Sequence, residues 1–215
     1  MWRNKIKLLS LTHIMERDTV HTEIIENLII KIYPDDDAPN PIKDWDCAAQ
    51  MVCWHRRYDL GHKHDFEDSE EFLQAAKKGR WEWLPLYLYD HSGITMATRP
   101  FSCGWDSGQV GYIYIDPETG RKEWGSLWRN KARDCMQYTV EEYDNYLTGT
   151  VYGFVVEDID TEEEIGSCWG FLGHYEAKTK DGHEYGALIE ARGEAKAHIA
   201  YEIREAHKCA AICHI

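Results

Sequence analysis

The sequence predicts an α+β fold, a mainly antiparallel sheet with two or three helices packed on it. Three observations predict it. Strand-like and helix-like segments follow one another without the regular alternation that a parallel, doubly wound sheet requires. Residues 83–115, WLPLYLYDHSGITMATRPFSCGWDSGQVGYIYI, hold two β-rich runs in which Leu84, Leu86 and Leu88 alternate with Pro85, Tyr87 and Tyr89, and Val110, Tyr112 and Tyr114 with Gly111, Ile113 and Ile115. Both runs are apolar on both faces, so both faces are expected to be covered. Residues 126–147 place Leu127, Trp128, Ala132, Cys135, Met136, Val140, Tyr143 and Leu147 at three- and four-residue intervals, an apolar helical stripe closed by Gly149.

The remaining elements follow in order. Residues 1–23 are mildly basic and lack clean periodicity, so they read as an N-terminal extension to a single domain over 24–215. ENLIIKIY (26–33) alternates as a strand that Pro34 stops, and the acid- and proline-rich DDDAPNPIKD that follows is a loop. AAQMVCWH (48–55) is a second strand, with a turn at Gly61. Asp68 or Ser69 caps a helix with Glu70 and Glu71 in its first turn, ended by Gly79. DPETGRKEWG (116–125) reads as a turn around Pro117 and Gly120. VYGFVVED (151–158) and IGSCWGFL (165–172) are strands joined by an acidic hairpin loop, and residues 185–211 favour helix through Ala, Glu, Lys and Arg.

At 215 residues and 43% hydrophobic, the chain is long enough to bury roughly 70% of its unfolded surface without a metal or disulfide. Its seven cysteines show no CxxC or zinc-ribbon spacing, which fits reduced thiols. No run approaches the roughly 20 apolar residues of a membrane span, and LLSLTHIM makes a poor signal peptide. A soluble, cytoplasmic protein without a membrane partner is therefore expected.

The net charge is −14, and residues 138–190 carry thirteen acids against Lys178 and Lys180. Such a surface repels a phosphate backbone, so direct nucleic-acid binding is not expected. It attracts a basic protein surface, including one that itself binds nucleic acid; the plainer alternative is that the acids keep the domain soluble. The densest part, Glu157, Asp158, Asp160, Glu162, Glu163 and Glu164, is the expected partner-binding set.

Three constellations can carry chemistry. His55, His62 and His64, with Asp65, Asp90 and His91, have the donor types of a zinc, manganese or iron site. The HKH of residues 62–64 falls in an expected loop, however, so spacing does not place two ligands on one strand or helical face; these histidines serve equally as solvated loop residues or as partners for buried carbonyls. Cys103 in FSCGWDSG, with His91 and either Asp90 or Asp106, has the members of a nucleophile, base and orienting group. The run Asp90, His91, Ser92, Gly93 and the later Gly108, Gln109, Val110, Gly111, Tyr112, Ile113 resemble the nucleophile turn and histidine strand of papain-like cell-wall peptidases. Both catalytic positions depart from that pattern, at His91 and Gln109. The aromatic set, Trp45, Trp54, Trp81, Trp83, Trp105, Trp124, Trp128 and Trp169 with thirteen tyrosines, supplies either core volume or protein-contact surface. No cofactor is identified.

The blocks DWDCAAQMVCWHRRYDLG, LPLYLYDHSGITMATRPFSCGWDSGQVGYIYI, YDNYLTGTVYGFVVED and SCWGF resemble an uncharacterised family of small proteins encoded by phages and related mobile elements, over about residues 24–173. The resemblance implies an accessory protein acting in the host cytoplasm that binds and inhibits a host protein, such as an immune or nuclease component, and it carries over no catalytic residue. The alternative is a small metal- or cysteine-dependent hydrolase with its site around His91 and Cys103.

Overall fold

The computed structural model describes residues 18–212. Along the chain the elements are β1 (His21–Ile25), β2 (Leu28–Pro34), β3 (Gln50–Cys53), α1 (Ser69–Gly79), β4 (Glu82–Asp90), β5 (Ile94–Ala97), β6 (Ser107–Ile115), α2 (Pro117–Trp124), a 3-10 turn at Gly125–Leu127, α3 (Trp128–Leu147), β7 (Val151–Asp158), β8 (Glu164–Leu172), β9 (Ala177–Lys178), β10 (Glu184–Tyr185) and α4 (Ala187–Ile212). All strand pairs are antiparallel and the class is α+β. The single domain expected over 24–215 divides into two compact units: Pro39–Thr148, and the described residues up to Ala38 together with those from Gly149 onward. Most of the extension expected over 1–23 lies outside the described residues, but its end already forms β1 from His21.

The 39–148 unit is built on a sheet of order β3-β6-β4-β5. Alternation along β4 sends Leu84, Leu86 and Leu88 to one face, where with Met51, Ile113 and Ile115 they meet Ala132, Met136, Val140 and Tyr143 of α3. On the opposite face Val52 and Tyr112 pack with Phe72 and Ala76 of α1. The Phe72 and Tyr112 rings stack at 4.8 Å, and Trp81 stacks on Tyr114 at 4.5 Å. Coverage on both faces, as the sequence suggests, thus holds over β3 and β6. It thins on β4, where Trp83 is exposed. Helix α1 begins where expected, with the Asp68 carboxylate accepting from the Glu70 and Glu71 N–H groups at 2.9 Å. It runs through Gly79, and Arg80 rather than glycine takes the left-handed cap at φ 57°.

Residues 116–125 form a helix rather than the expected turn. Asp116 caps α2 by accepting from the Glu118 and Thr119 N–H groups at 2.8 and 3.0 Å, with Pro117 at the first helical position. Pro117 is therefore a helix-start residue and not a turn residue. The segment between β4 and β6, expected to be a connector, folds back as β5 along β4.

The other unit has sheet order β1-β2-β7-β8. Leu28, Ile30 and Ile32 of β2 and Phe154 and Val156 of β7 face α4, which presents Ala187, Leu188, Ala191 and Ala195. Small residues on that helix face let it lie close to the sheet. Arg192 ties α4 to β1 and to the β8–β9 connection, with ion pairs to Glu23 and Glu176 at 2.7 Å each. No helix among the described residues is long and apolar enough to cross a membrane.

Candidate functional site

The four residues expected around a nucleophile meet at the open end of the β4–β6 pair. Asp90 closes β4, His91 enters a tight turn in which Ser92 adopts φ 59°, and Asp106 directly precedes β6. The Asp90 N–H donates to the Asp106 carbonyl at 2.8 Å, which fixes the two strand ends together. His91 Nδ1 lies 3.2 Å from Asp106 Oδ2, and the Cys103 thiol reaches that same oxygen at 3.9 Å. A carboxylate oxygen therefore stands where an activating imidazole would have to be, because the base must contact the sulfur itself. No Cys103–His91 hydrogen bond occurs among the described residues.

Asp90 does not orient His91. Its carboxylate accepts from the Tyr58 hydroxyl at 3.1 Å and pairs with the Arg57 guanidinium. Arg57 and Tyr58 are members of this cluster that the sequence reading passed over; the available signal was an Arg-Arg pair in an otherwise acidic chain. The cluster is open to solvent, with the His91 side chain 63% exposed.

His55, His62 and His64 do come together, lining one cavity of about 880 Å³ within residues 53–65. They do not form a metal centre: among the described residues no group of three His, Cys, Asp or Glu side chains is placed to hold an ion. The backbone has taken one nitrogen of each ring. His62 Nδ1 accepts from the Met51 N–H at 2.9 Å, and His55 Nδ1 accepts from the Tyr58 and Arg57 N–H groups at 3.2 and 3.4 Å. His64 Nε2 lies 3.2 Å from the Cys53 carbonyl oxygen. Burial holds His62 below the ordinary histidine range and pushes the Cys53 thiol up to about 12, so neither charges readily.

The acidic set divides into two groups. Asp158 spends its carboxylate on the hairpin between β7 and β8, accepting from the Asp160 and Thr161 N–H groups at 2.9 and 2.8 Å and from Asn27 at 2.6 Å. Glu157 pairs with Lys31 at 2.8 Å, and Glu164 accepts from the Ser167 hydroxyl at 2.8 Å. Asp160, Glu162 and Glu163 remain exposed at the hairpin tip, without an ion pair to any described residue. Edge strand β8 continues from this tip and carries Trp169, 50% exposed.

The tryptophans likewise separate. Trp128 is buried in a core, and Trp54 and Trp81 pack against another. Trp45, Trp83, Trp105 and Trp169 are exposed, Trp105 almost completely at 97%. No family model matches the chain, and neither a curated protein nor a solved structure matches it.

Proposed function

We propose that this chain is an accessory protein of the phage type that binds and inhibits a basic host protein, such as a nuclease or another defence component. The observation that carries the reading is the hairpin tip, where Asp160, Glu162 and Glu163 stand exposed beside the edge strand that bears Trp169. Concentrated negative charge raises the encounter rate with a cationic surface, and a large, half-exposed ring beside it supplies desolvated contact area. Glu157, Asp158 and Glu164 have intramolecular partners and serve mainly to hold the hairpin in shape. The phage-family resemblance supplies the expectation of a host target. The hydrolase alternative draws less support, since Cys103 has no imidazole partner among the described residues and the three histidines are tied to the backbone.

The test is capture of host proteins on the tagged chain, followed by binding kinetics on the isolated partner. Asp160→Lys, Glu162→Lys and Glu163→Lys together are expected to slow association by about tenfold at low salt, with the difference shrinking as salt rises. Trp169→Ala is expected to act on dissociation instead. A captured partner whose association is indifferent to the triple reversal and to salt would refute the acidic-surface reading.

A further inference from the structure

The cavity within residues 53–65 is lined unlike the rest of this acidic chain. Of its charged residues, Asp59 is matched by Lys43 at 2.5 Å, and Arg57 is matched by Asp90. Arg56 and Lys63 line the same cavity with no ion pair to a described residue; Lys63 lies near enough to Asp59 to help Lys43 hold that carboxyl below its usual range, and the Asp65 carboxylate opposes both. Positive charge is therefore left over here, within a protein whose formal charge is −14.

The histidines add directed donors. In a neutral imidazole one nitrogen accepts and the other carries the proton. His55 and His62 both accept backbone N–H groups at Nδ1, which places the proton of each ring on Nε2. Backbone geometry thus fixes two N–H donors in the cavity wall without requiring the rings to be charged. Two cationic side chains and two neutral N–H donors, set against the Asp65 carboxylate and an Asp59 already paired with Lys43, recognise an anion with several oxygens. A volume of about 880 Å³ has room for more than an isolated ion.

We propose that this cavity binds a phosphate group, with Arg56 and Lys63 supplying charge and the His55 and His62 Nε2–H groups supplying directed hydrogen bonds. The site is built from residues of the 39–148 unit alone and does not depend on the partner reading given above. Isothermal titration of the full chain with adenosine 5′-monophosphate, sodium phosphate and adenosine tests it and separates the possible sources of the group. Saturable one-to-one binding of the nucleotide, absent for adenosine, is expected. A nucleotide that binds more tightly than phosphate identifies an organic ester as ligand, and equal affinities identify the free ion. The double variant R56Q/K63Q, confirmed as folded by circular dichroism, is expected to bind about tenfold more weakly. Asp65→Asn removes the opposing carboxylate and is expected to tighten binding. The proposal is overturned if neither phosphate nor the nucleotide saturates at millimolar concentration, if adenosine binds as well as its monophosphate, if R56Q/K63Q binds like the parent, or if Asp65→Asn leaves binding unchanged or weaker.

Discussion

The two units use the same device, a four-stranded antiparallel sheet with a long helix on one face, and the half-buried acids of α3 in one contrast with the donor-bound acids of the other. In the 39–148 unit, α3 brings acids against the sheet: Asp144 accepts the Met96 N–H at 2.7 Å, yet burial pushes its carboxyl above the usual range, and Glu142 is raised by burial as well. In the other unit the acids are held by donors. The hydrogen bond from Arg192 lowers Glu23, and the Thr161 N–H lowers Asp158. A buried carboxylate with one neutral donor loses more solvation than it regains, whereas one bound by a guanidinium or by several N–H groups does not. Asp144 and Glu142 thus carry charge at a cost to stability, unlike the capping Asp68 and Asp116 of the same unit, whereas Glu23 and Asp158 use charge for cohesion.

The glycines mark a second difference, and substituting them has the largest expected effect. Gly111, in the middle of β6, lies directly against the Val52 carbonyl of β3, so a Cβ there would collide with backbone. Gly153 of β7 lies beneath the Trp169 ring, a half-exposed side chain that can swing outward. Gly111→Ala is expected to cost on the order of 3 kcal/mol in urea denaturation, and Gly153→Ala about 1 kcal/mol. Equal costs would mean that Trp169 is held as firmly as the β3–β6 ladder. The Gly153 variant should also shift tryptophan fluorescence to the red, as Trp169 becomes more solvated.

Next in size is Glu23→Gln, which leaves Arg192 with Glu176 alone. Glu23 has a folded pKa below its unfolded one, so its contribution is present above the unfolded value and lost as pH falls through the folded value. The variant is expected to lose about 0.5–1 kcal/mol at neutral pH and nothing at about pH 2, read from denaturant midpoints across that range. The smallest effect has the opposite sign. Asp144→Asn keeps an acceptor for the Met96 N–H and removes a carboxylate whose folded pKa is raised, so its penalty is present above the folded pKa and absent below the unfolded one. A gain of a few tenths of a kcal/mol at pH 7 that disappears near pH 3 is expected. A loss at pH 7 would show that the Met96 bond needs a charged acceptor, and would erase the contrast between the units.

Much of the fold was legible because its signals are local. The Asp68 cap with Glu70 and Glu71, the stripe from Trp128 to Leu147, and the alternation of Val151 to Asp158 each lie within one element. Two local signals were missed. Asp116 followed by Pro117 is a helix start as well as a turn, and only the continuing apolar contacts of α2 and α3 decide between them. His21–Ile25 is too weakly alternating to read as a strand without β2 beside it.

The candidate site was legible in membership and not in arrangement. Proximity of Asp90, His91, Cys103 and Asp106 followed from their positions between two strands, but the Asp106 oxygen between thiol and imidazole did not. The three histidines were recognised as a set, while their use by the backbone depends on Met51, Tyr58 and Cys53 groups that β3 and its loop bring within reach.

Sequence by itself determined the α+β class, the main helices and strands, and the acidic bias, because periodicity, caps and charge are properties of a segment or of a sum over residues. Tertiary structure alone decided that the strands divide into two four-stranded sheets and a two-stranded one, which carboxylates are spent internally, and that Arg56, Lys63 and the histidine donors share one cavity. The sheets are set by pairings between residues distant in the chain, and the cavity, although its lining is one segment, by that segment's folding back on β3; a hydrogen bond or a desolvated charge exists only once both partners are in place.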